Sequence, residues 1–465
     1  MGRRAWVRAA VMACAWMAVP VLGQTGERGG DAVLEEMKRL RERMEALEAR
    51  HEADQTRIGE LESRLQRLET PAGGEERAAE LETLRAAIRD ELGAAPTSTG
   101  AFSLSPSGGG AGNAFNPAIT AFIDTGASIS SDGGNNALNR FNLREVELDL
   151  RAAISPSADG ALVIALGEEI EQQRNGEVEI NREVDLEEGF IDFHTLPYDM
   201  SLKLGKFRGS FGRNNLLHTH DLPQVTRPRV VTAFLGPEGL ATTGVSWSWH
   251  VPNPWDKYLE LTGEVVNADG GAESPILGGP NADNPAVLGH VRYFDDVGET
   301  STMELGGTYL FGRTDRDSDF NANVFGVDAT YQWTHSDPSK FKSFLVQGEA
   351  FWADNDVRRG LFGGERHNSF GAYALAQYQL EKEWYVGLRA DYTEFPNSES
   401  RGEDDWDFAL APYLTWYITE FLRARLEFQH RVFELDGDGA EEQAVFLQFT
   451  GVMGAHPAHP YWVNR

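Results

Sequence analysis

Apolar and polar residues alternate one by one along most of the chain after residue 116. Charged and apolar side chains alternate in Glu145–Ala152, and the same alternation recurs in Tyr258–Val265, Trp384–Tyr392 and Leu422–Phe428. In an extended strand this alternation places the charges on one face and the apolar groups on the other. The segments run about 10 to 16 residues, well above the usual 5–6 of globular strands and close to the 9–11 that cross a bilayer. The pattern predicts an all-β transmembrane antiparallel barrel over 116–465.

Sixteen such segments can be counted, an even number as bacterial barrels require. Fourteen or eighteen strands remain alternatives, since the sequence does not define the ends of the segments precisely. The predicted strands are 118–130, 140–153, 158–171, 182–195, 198–208, 241–251, 256–268, 285–296, 299–313, 321–336, 340–354, 366–382, 383–396, 404–419, 420–435 and 441–454. A barrel of this size is expected to enclose an aqueous lumen rather than a filled core.

Aromatic residues gather near the ends of these segments, where a barrel meets the two membrane interfaces. They are Tyr309, Tyr331, Trp333, Trp352, Tyr378, Trp384, Tyr392, Trp416 and Tyr417. Short turns also alternate with longer acidic loops, as periplasmic turns alternate with extracellular loops.

Residues 24–92 have a different spacing of apolar residues. Apolar positions recur at alternating spacings of four and three from Val33 to Leu68, which predicts a periplasmic α-helical coiled coil. His51 and Asp54 fall on the seam, either as a polar layer that sets register or as a pH-sensitive or metal-binding pair. A single helix cannot bury its own seam, so we expect a homo-oligomer, most simply a trimer. Residues 93–115, rich in Gly, Ser and Pro, form a linker.

Residues 1–23 have the features of a secretory signal peptide, with a basic start, an apolar stretch and a cleavage site after Gly23. Cys14, the single cysteine, lies inside it, so cleavage leaves no thiol for disulfides or cysteine chemistry. A lipoprotein-type cleavage at Cys14 is the alternative. Together with the strand pattern, the signal peptide predicts a location in the bacterial outer membrane, with the lipid bilayer as a partner.

The chain is acidic, with 72 acidic and 42 basic residues and a net charge of −30. Residues 1–100 contain 18 acidic and 15 basic residues, so the remainder carries 54 and 27, a balance of −27. This excess argues against a nucleic-acid partner and suits a lumen that tolerates or concentrates cations.

One connection, from Gly209 to Ala241, is much longer than the others, and its apolar and polar residues follow no clear periodicity. Loops of this length are often functional. In a wide barrel it could fold inward and narrow the pore, with its arginines opposite an acidic wall. The alternative is an extracellular loop packed on itself. The predicted constriction residues are Arg213, Asn214, Asn215, Arg227 and Arg229.

Two histidine pairs are candidate metal ligands, since imidazole is a common ligand of zinc. The first pair, His218 and His220, is followed by Asp221, and the second pair, His456 and His459, follows the last strand. The alternative is separate surface histidines without metal. We therefore predict no resident cofactor other than a zinc ion or loosely bound divalent cations, which the acidic segment 315–319 would also attract. No catalytic motif is recognisable, and an enzyme is not expected.

Several of these segments resemble a group of porin-like bacterial outer-membrane proteins, often described as zinc-regulated receptors of the TonB-dependent kind. The segments are Asn116–Ile119, Val184–Ile191, Leu204–Phe207, the His-x-His-Asp loop up to Phe234–Gly236, and Phe446–His459. The receptor description implies a plug inside a 22-stranded barrel, whereas a coiled coil precedes the barrel here. That layout is similar to the phosphate-selective porins, a resemblance that implies a trimer and an anion-selective lumen.

The predicted strand number and the excess of acidic residues in the barrel segment favour a channel for passive diffusion of small hydrophilic solutes or ions. Two alternatives remain open. One is a structural outer-membrane anchor whose coiled coil contacts the cell wall, and the other is a metal-related outer-membrane receptor.

Overall fold

The computed structural model describes residues 117–133, 135–172, 178–268, 275–278, 284–314, 320–359, 363–396, 405–435, 438–455 and 460–464. The predicted signal peptide (1–23), coiled coil (24–92) and linker (93–115) lie outside these residues. So do His456, His459 and the acidic segment 315–319. No helix among the described residues is long and apolar enough to cross a membrane.

Sixteen antiparallel strands close into one barrel, in which each strand pairs with its neighbours in sequence and β1 pairs with β16. The strands are β1 (Ala118–Ser130), β2 (Arg140–Ser155), β3 (Ala158–Gln172), β4 (Val178–Leu196), β5 (Met200–Arg208), β6 (Ala241–His250), β7 (Tyr258–Val266), β8 (Ala286–Asp296), β9 (Ser301–Arg313), β10 (Asn321–Thr334), β11 (Ser343–Arg359), β12 (Gly363–Glu381), β13 (Trp384–Glu394), β14 (Trp406–Tyr417), β15 (Leu422–Leu435) and β16 (Asp438–Gly454). The predicted strand number and barrel class are confirmed. The described residues also contain one α-helix, α1 (Arg229–Leu235).

Alternation within the strands separates an apolar outer face from an inner face that carries the charges. Along β14, Phe408 and Leu410 are exposed on the outside, while Asp407 and Ala409 are buried inside. Along β15, Arg425 is buried inside and its neighbour Leu426 is exposed. The period of two in the sequence therefore becomes the two faces of the barrel wall.

The connections differ at the two ends of the barrel. Thr120 pairs with Gly454, so the first and last strands meet at one rim, which we call the terminal rim. The long connections 131–139, 209–240, 267–285 and 395–405 all follow odd-numbered strands and therefore leave from the opposite rim. This arrangement matches the predicted alternation of short turns with long loops.

The interior differs from the predicted aqueous lumen because a buried apolar core fills part of it. Phe211 packs edge-on against Phe351 of β11 at 4.8 Å between ring centroids, and Phe234 of α1 contacts the same ring at 5.8 Å. All three side chains are fully buried. Each buried aromatic side chain contributes about 1.5–3 kcal/mol, so this core holds the 209–240 connection firmly.

Candidate functional site

The connection between β5 and β6, residues 209–240, runs inside the barrel, and we call it the inner loop. Its backbone contacts strands on different sides of the wall. The N–H of Asn214 donates to Glu349 Oε1 on β11 at 2.7 Å, and the N–H of Val225 donates to Glu427 Oε2 on β15 at 2.8 Å. On another side, His218 lies 2.7 Å from Glu187 of β4. The inner loop therefore crosses the lumen instead of extending from the rim.

Asn215 joins the two ends of the inner loop. Its amide nitrogen donates to the carbonyl oxygens of Gly209 at 2.8 Å and Leu240 at 3.0 Å, and its oxygen accepts the Leu240 N–H at 2.7 Å. Gly239 has a φ of +85°, and a Cβ there would come within 2.4 Å of the Asn215 oxygen. The close approach explains why a glycine stands beside this buried amide.

Arg213 and Asn214 fix the loop to the wall of β9 and β11. Arg213 pairs with Glu304 of β9, and its guanidinium stacks over the ring of Tyr461 at 3.7 Å. Asn214 is buried, and its backbone N–H donates to Glu349 of β11. Both residues are anchors of the inner loop.

Arg227 and Arg229 differ in their partners. Arg227 donates to Asn214, Leu217 and Thr219 of the inner loop itself, at 3.1–3.3 Å. Burial and the nearby Arg208 cation lower the pKa of Arg227 to about 10. Arg229 instead lies 3.1 Å from Asp407 of β14.

The arginines at 213 and 229 therefore touch the acidic wall directly. The sequence predicts only that they stand opposite an acidic wall. The difference arises because burial of a guanidinium requires direct partners for its N–H groups.

The wall contributes three further arginines that sequence reasoning did not select. Arg425 of β15 donates to the carbonyl oxygens of Leu222 and Gln224, the latter at 2.6 Å. Arg423 of β15 donates to the carbonyl oxygen of His220, and Arg389 of β13 donates to Thr226 Oγ1 at 2.8 Å. The period-two pattern shows that these residues face inward, but it carries no signal of what they meet there.

His218 lies in a buried cluster of charged residues on the wall of β2, β4 and β5. Its Nδ1 is 2.7 Å from Glu187 Oε2 and 3.3 Å from Glu147 Oε2, and its Nε2 is 3.2 Å from Glu188 Oε2. Arg208, at the end of β5, donates to the same Glu187 oxygen at 2.6 Å. These carboxylates lie 30 to 71 residues earlier in the chain, and nothing in the sequence indicates that they meet His218.

His220 belongs to the same cluster. Its Nδ1 lies 3.3 Å from Glu147 Oε2, its Nε2 lies 3.6 Å from Asp221 Oδ1, and its ring stacks on Phe122 of β1 at 3.8 Å between centroids. Phe122 is the cross-strand neighbour of Glu147, so the pairing of β1 with β2 sets both contacts. We call Glu145, Glu147, Glu187, Glu188, Arg208, His218 and His220 the histidine cluster.

The carboxylates favour positive charge on both imidazoles. Burial and the nearby Arg208 act to lower the pKa of His218, but Glu147 and Glu187 outweigh them and hold that pKa well above its usual range. Burial likewise acts to lower the pKa of His220, while Glu147 and Asp221 raise it above its ordinary value. The cluster is therefore built to hold cations.

The chain end also reaches the inner loop. Trp462 is buried and donates its indole N–H to the carbonyl oxygen of Asp221 at 2.8 Å. The predicted ligands His218, His220 and Asp221 thus lie together, and the segment that follows β16 ends beside them. His456 and His459 are outside the described residues, so their part in a metal site stays a prediction.

No protein-family model matches the chain. An uncharacterized protein of Aquifex aeolicus is 28% identical over 359 residues, which cover 71% of this chain and 72% of that protein.

Three solved structures similar to this chain are each 10% identical to it. The first is OprB of Pseudomonas putida, at a TM-score of 0.49, covering 73% of this chain and 94% of that one. The second is the outer membrane channel DcaP of Acinetobacter baumannii, at 0.48, covering 72% and 97%. An anion-selective porin from Comamonas acidovorans matches at 0.46, covering 73% and 99%.

Proposed function

We propose that the protein is a porin-like channel of the bacterial outer membrane, through which small hydrophilic solutes or ions diffuse passively. The observation that carries this proposal is the closed sixteen-strand wall, apolar outside and charged inside. An apolar outer band is stable only against lipid, and a barrel of this size has room for a passage.

The outward-facing aromatic residues support a position across a bilayer. Trp384 and Trp416 stack at 5.1 Å between centroids near the terminal rim, and Tyr309 packs on Phe325 at 4.8 Å on the outer face. Amphipathic rings of this kind are enriched where a barrel meets the lipid headgroups. Tyr417 does not belong to this set, because it faces inward and packs against Trp462, contrary to the sequence-based expectation.

The inner loop supports a narrow passage. It contacts β4, β11 and β15 across the lumen, and the apolar core occupies space that water would otherwise fill. A cavity of about 340 Å³ remains beside α1, and Arg229 and Asp407 are among its lining residues. We therefore propose that the inner loop is the constriction of the channel, held in place by Arg213, Asn214, Asn215, Arg227 and Arg229.

The charges inside favour cations over anions. Among the charged residues buried in the described part of the chain, fourteen are acidic and five are arginines. The acidic residues are Asp124, Glu145, Glu147, Glu187, Glu188, Glu264, Glu304, Asp328, Glu349, Asp391, Asp405, Asp407, Glu427 and Glu442. Rings of carboxylates lower the barrier for cations in a pore.

Single-channel recording in planar bilayers tests the proposal. We expect discrete conductance steps from the folded full chain, and a reversal potential in a salt gradient of the sign given by cation preference. Absence of any step from folded, membrane-inserted protein would contradict the channel, and a reversal potential of opposite sign would contradict the cation preference alone.

The coiled coil (24–92) and the trimer are also proposals, and they concern residues outside the described ones. Sedimentation of the full chain in detergent should give the mass of three copies. A chain that lacks residues 24–92 should show weaker association.

A further inference from the structure

We propose that the histidine cluster contains a binding site for one divalent transition-metal ion, formed by Glu145, Glu147 and His220. Glu145 and Glu147 stand two residues apart on the inner face of β2, and His220 comes from the inner loop. One ligand atom from each of the three lies within 4.8 Å of the others. Carboxylate and imidazole donors together suit ions such as Zn²⁺ or Mn²⁺.

The three side chains present buried polar atoms without hydrogen-bond partners, although Glu147 Oε2 also lies 3.3 Å from His218 Nδ1. Oε1 of Glu145, Oε2 of Glu147 and Nδ1 of His220 have no hydrogen-bond partner among the described residues. The side chains of Glu147 and His220 are only 1% and 4% exposed. Orphaned buried polar atoms are costly, so three of them facing one another call for a ligand.

The spacing of these atoms fits a metal. His220 Nδ1 lies 3.3 Å from Glu147 Oε2, and neither atom has a hydrogen-bond partner among the described residues. Two ligands of a tetrahedral zinc ion, each bound at about 2.0–2.1 Å, are separated by about 3.3–3.4 Å. The pair therefore stands at the separation of two ligands.

The surroundings of His220 hold its ring as metal sites usually do. Phe122 stacks on the ring at 3.8 Å, and Asp221 Oδ1 lies 3.6 Å from Nε2, the nitrogen opposite the proposed ligand atom. A carboxylate behind the ligating imidazole orients the ring and strengthens its donation. Asp221 is one third exposed, so the cluster opens toward solvent on this side.

Charge balance points the same way. The four carboxylates of the histidine cluster and Arg208 sum to −3 in a buried region, before any charge on the imidazoles. A divalent ion bound by a neutral His220 takes the place of the proton that this imidazole otherwise carries. His218 is already paired with Glu187 and Glu188, so it is left as the neighbour of the site rather than a ligand.

Metal binding to the full chain in detergent tests the inference, and the readout is independent of conductance. The protein is stripped with a chelator and titrated calorimetrically with Zn²⁺, Mn²⁺ and Ca²⁺ in turn. We expect one equivalent of Zn²⁺ or Mn²⁺ to bind at least tenfold more tightly than Ca²⁺. The variants His220→Gln and Glu147→Gln should each weaken this binding at least tenfold.

A second histidine–glutamate pair of the barrel supplies the control. His250 Nε2 lies 3.1 Å from Glu260 Oε2, outside the histidine cluster, so His250→Gln and Glu260→Gln should bind the metal as the unaltered chain does. Circular dichroism checks that every variant keeps its β structure. Absence of stoichiometric binding in the unaltered chain would overturn the site. So would full binding by folded His220→Gln and Glu147→Gln, since the ion would then sit elsewhere.

Discussion

The indole N–H of Trp462 donates to the carbonyl oxygen of Asp221 at 2.8 Å, and this bond joins the end of the chain to the inner loop. The two segments enter the barrel from opposite ends, since β16 ends at the terminal rim and the inner loop leaves from the other. Tyr385 and Tyr417 pack on the same indole at 5.9 and 6.3 Å between centroids.

Trp462→Ala should therefore destabilise the barrel and loosen the inner loop. A buried tryptophan replaced by alanine costs about 3–5 kcal/mol in the free energy of unfolding. Urea unfolding in detergent measures this loss, and single-channel recording should show noisier open states. The same change at Trp255, which is 69% exposed, is the control and should have little effect. Equal stability of the two variants would show that the Trp462 contact contributes nothing.

Asn215→Ala should release the two ends of the inner loop. The substitution removes three hydrogen bonds and leaves the buried N–H of Leu240 without its partner. Each lost bond costs about 0.5–1.5 kcal/mol, so a loss of a few kcal/mol is expected. Asn214→Ala is the matched control because its contact with Glu349 is made by the backbone, and its side chain accepts only one longer bond, from Arg227 at 3.3 Å, which also reaches the Asn214 carbonyl oxygen. We expect the control to keep most of its stability, and the reverse order of the two variants would refute the role of Asn215.

Asp328→Asn should weaken cation preference without weakening the fold. Asp328 of β10 pairs in register with Glu349 of β11, and its Oδ2 has no hydrogen-bond partner among the described residues. Two carboxylates side by side repel each other, so the neutral amide should leave stability unchanged or raise it. The reversal potential in a salt gradient should move toward zero. Asp256→Asn, in the exposed turn 251–257, should leave it unchanged, and identical potentials for both variants would exclude Asp328 from the cation path.

Leu410→Arg tests the outer face. Leu410 is exposed on the outside near the middle of β14, where an arginine in lipid costs about 2–4 kcal/mol. Leu380→Arg places the same change on the outer face near the end of β12, where the cost falls to about 0–1 kcal/mol. Folding into lipid vesicles should therefore fail or slow for Leu410→Arg only. Equal insertion of both variants would mean that this face does not meet lipid.

The barrel wall could be predicted from the sequence because its signal is local. Alternation with a period of two is visible within each strand, and it places β1 at Ala118–Ser130, as predicted. The largest difference between a predicted and an observed strand end is in β11, which continues to Arg359, whereas the sequence predicts its end at 354. Polar residues near the rim can continue a strand, so composition does not mark where pairing stops.

The interior could be predicted only in part because its contacts join distant parts of the chain. The long connection was recognisable from its length, but nothing in it shows that His218 meets Glu187, 31 residues earlier. Glu145 and Glu147 look like ordinary inward-facing strand residues. Their significance arises only when the inner loop brings His220 against β2. The sequence also predicts arginines of the inner loop opposite an acidic wall, but it carries no signal that Arg213 contacts Glu304 and Arg229 contacts Asp407 directly.

The most direct test of the central claim, that the inner loop is the constriction, compares the single-channel conductance of the full chain with that of a loop-trimmed variant. The N–H of Gly209 donates to the carbonyl oxygen of Leu240 at 2.9 Å, so a short glycine-serine turn can replace residues 211–238. Trp462→Ala in the same background removes the indole that otherwise contacts the inner loop. Circular dichroism and heat-modifiable electrophoretic mobility verify that the variant is folded. We predict a several-fold larger conductance for the folded, trimmed variant. An unchanged or smaller conductance would contradict the claim.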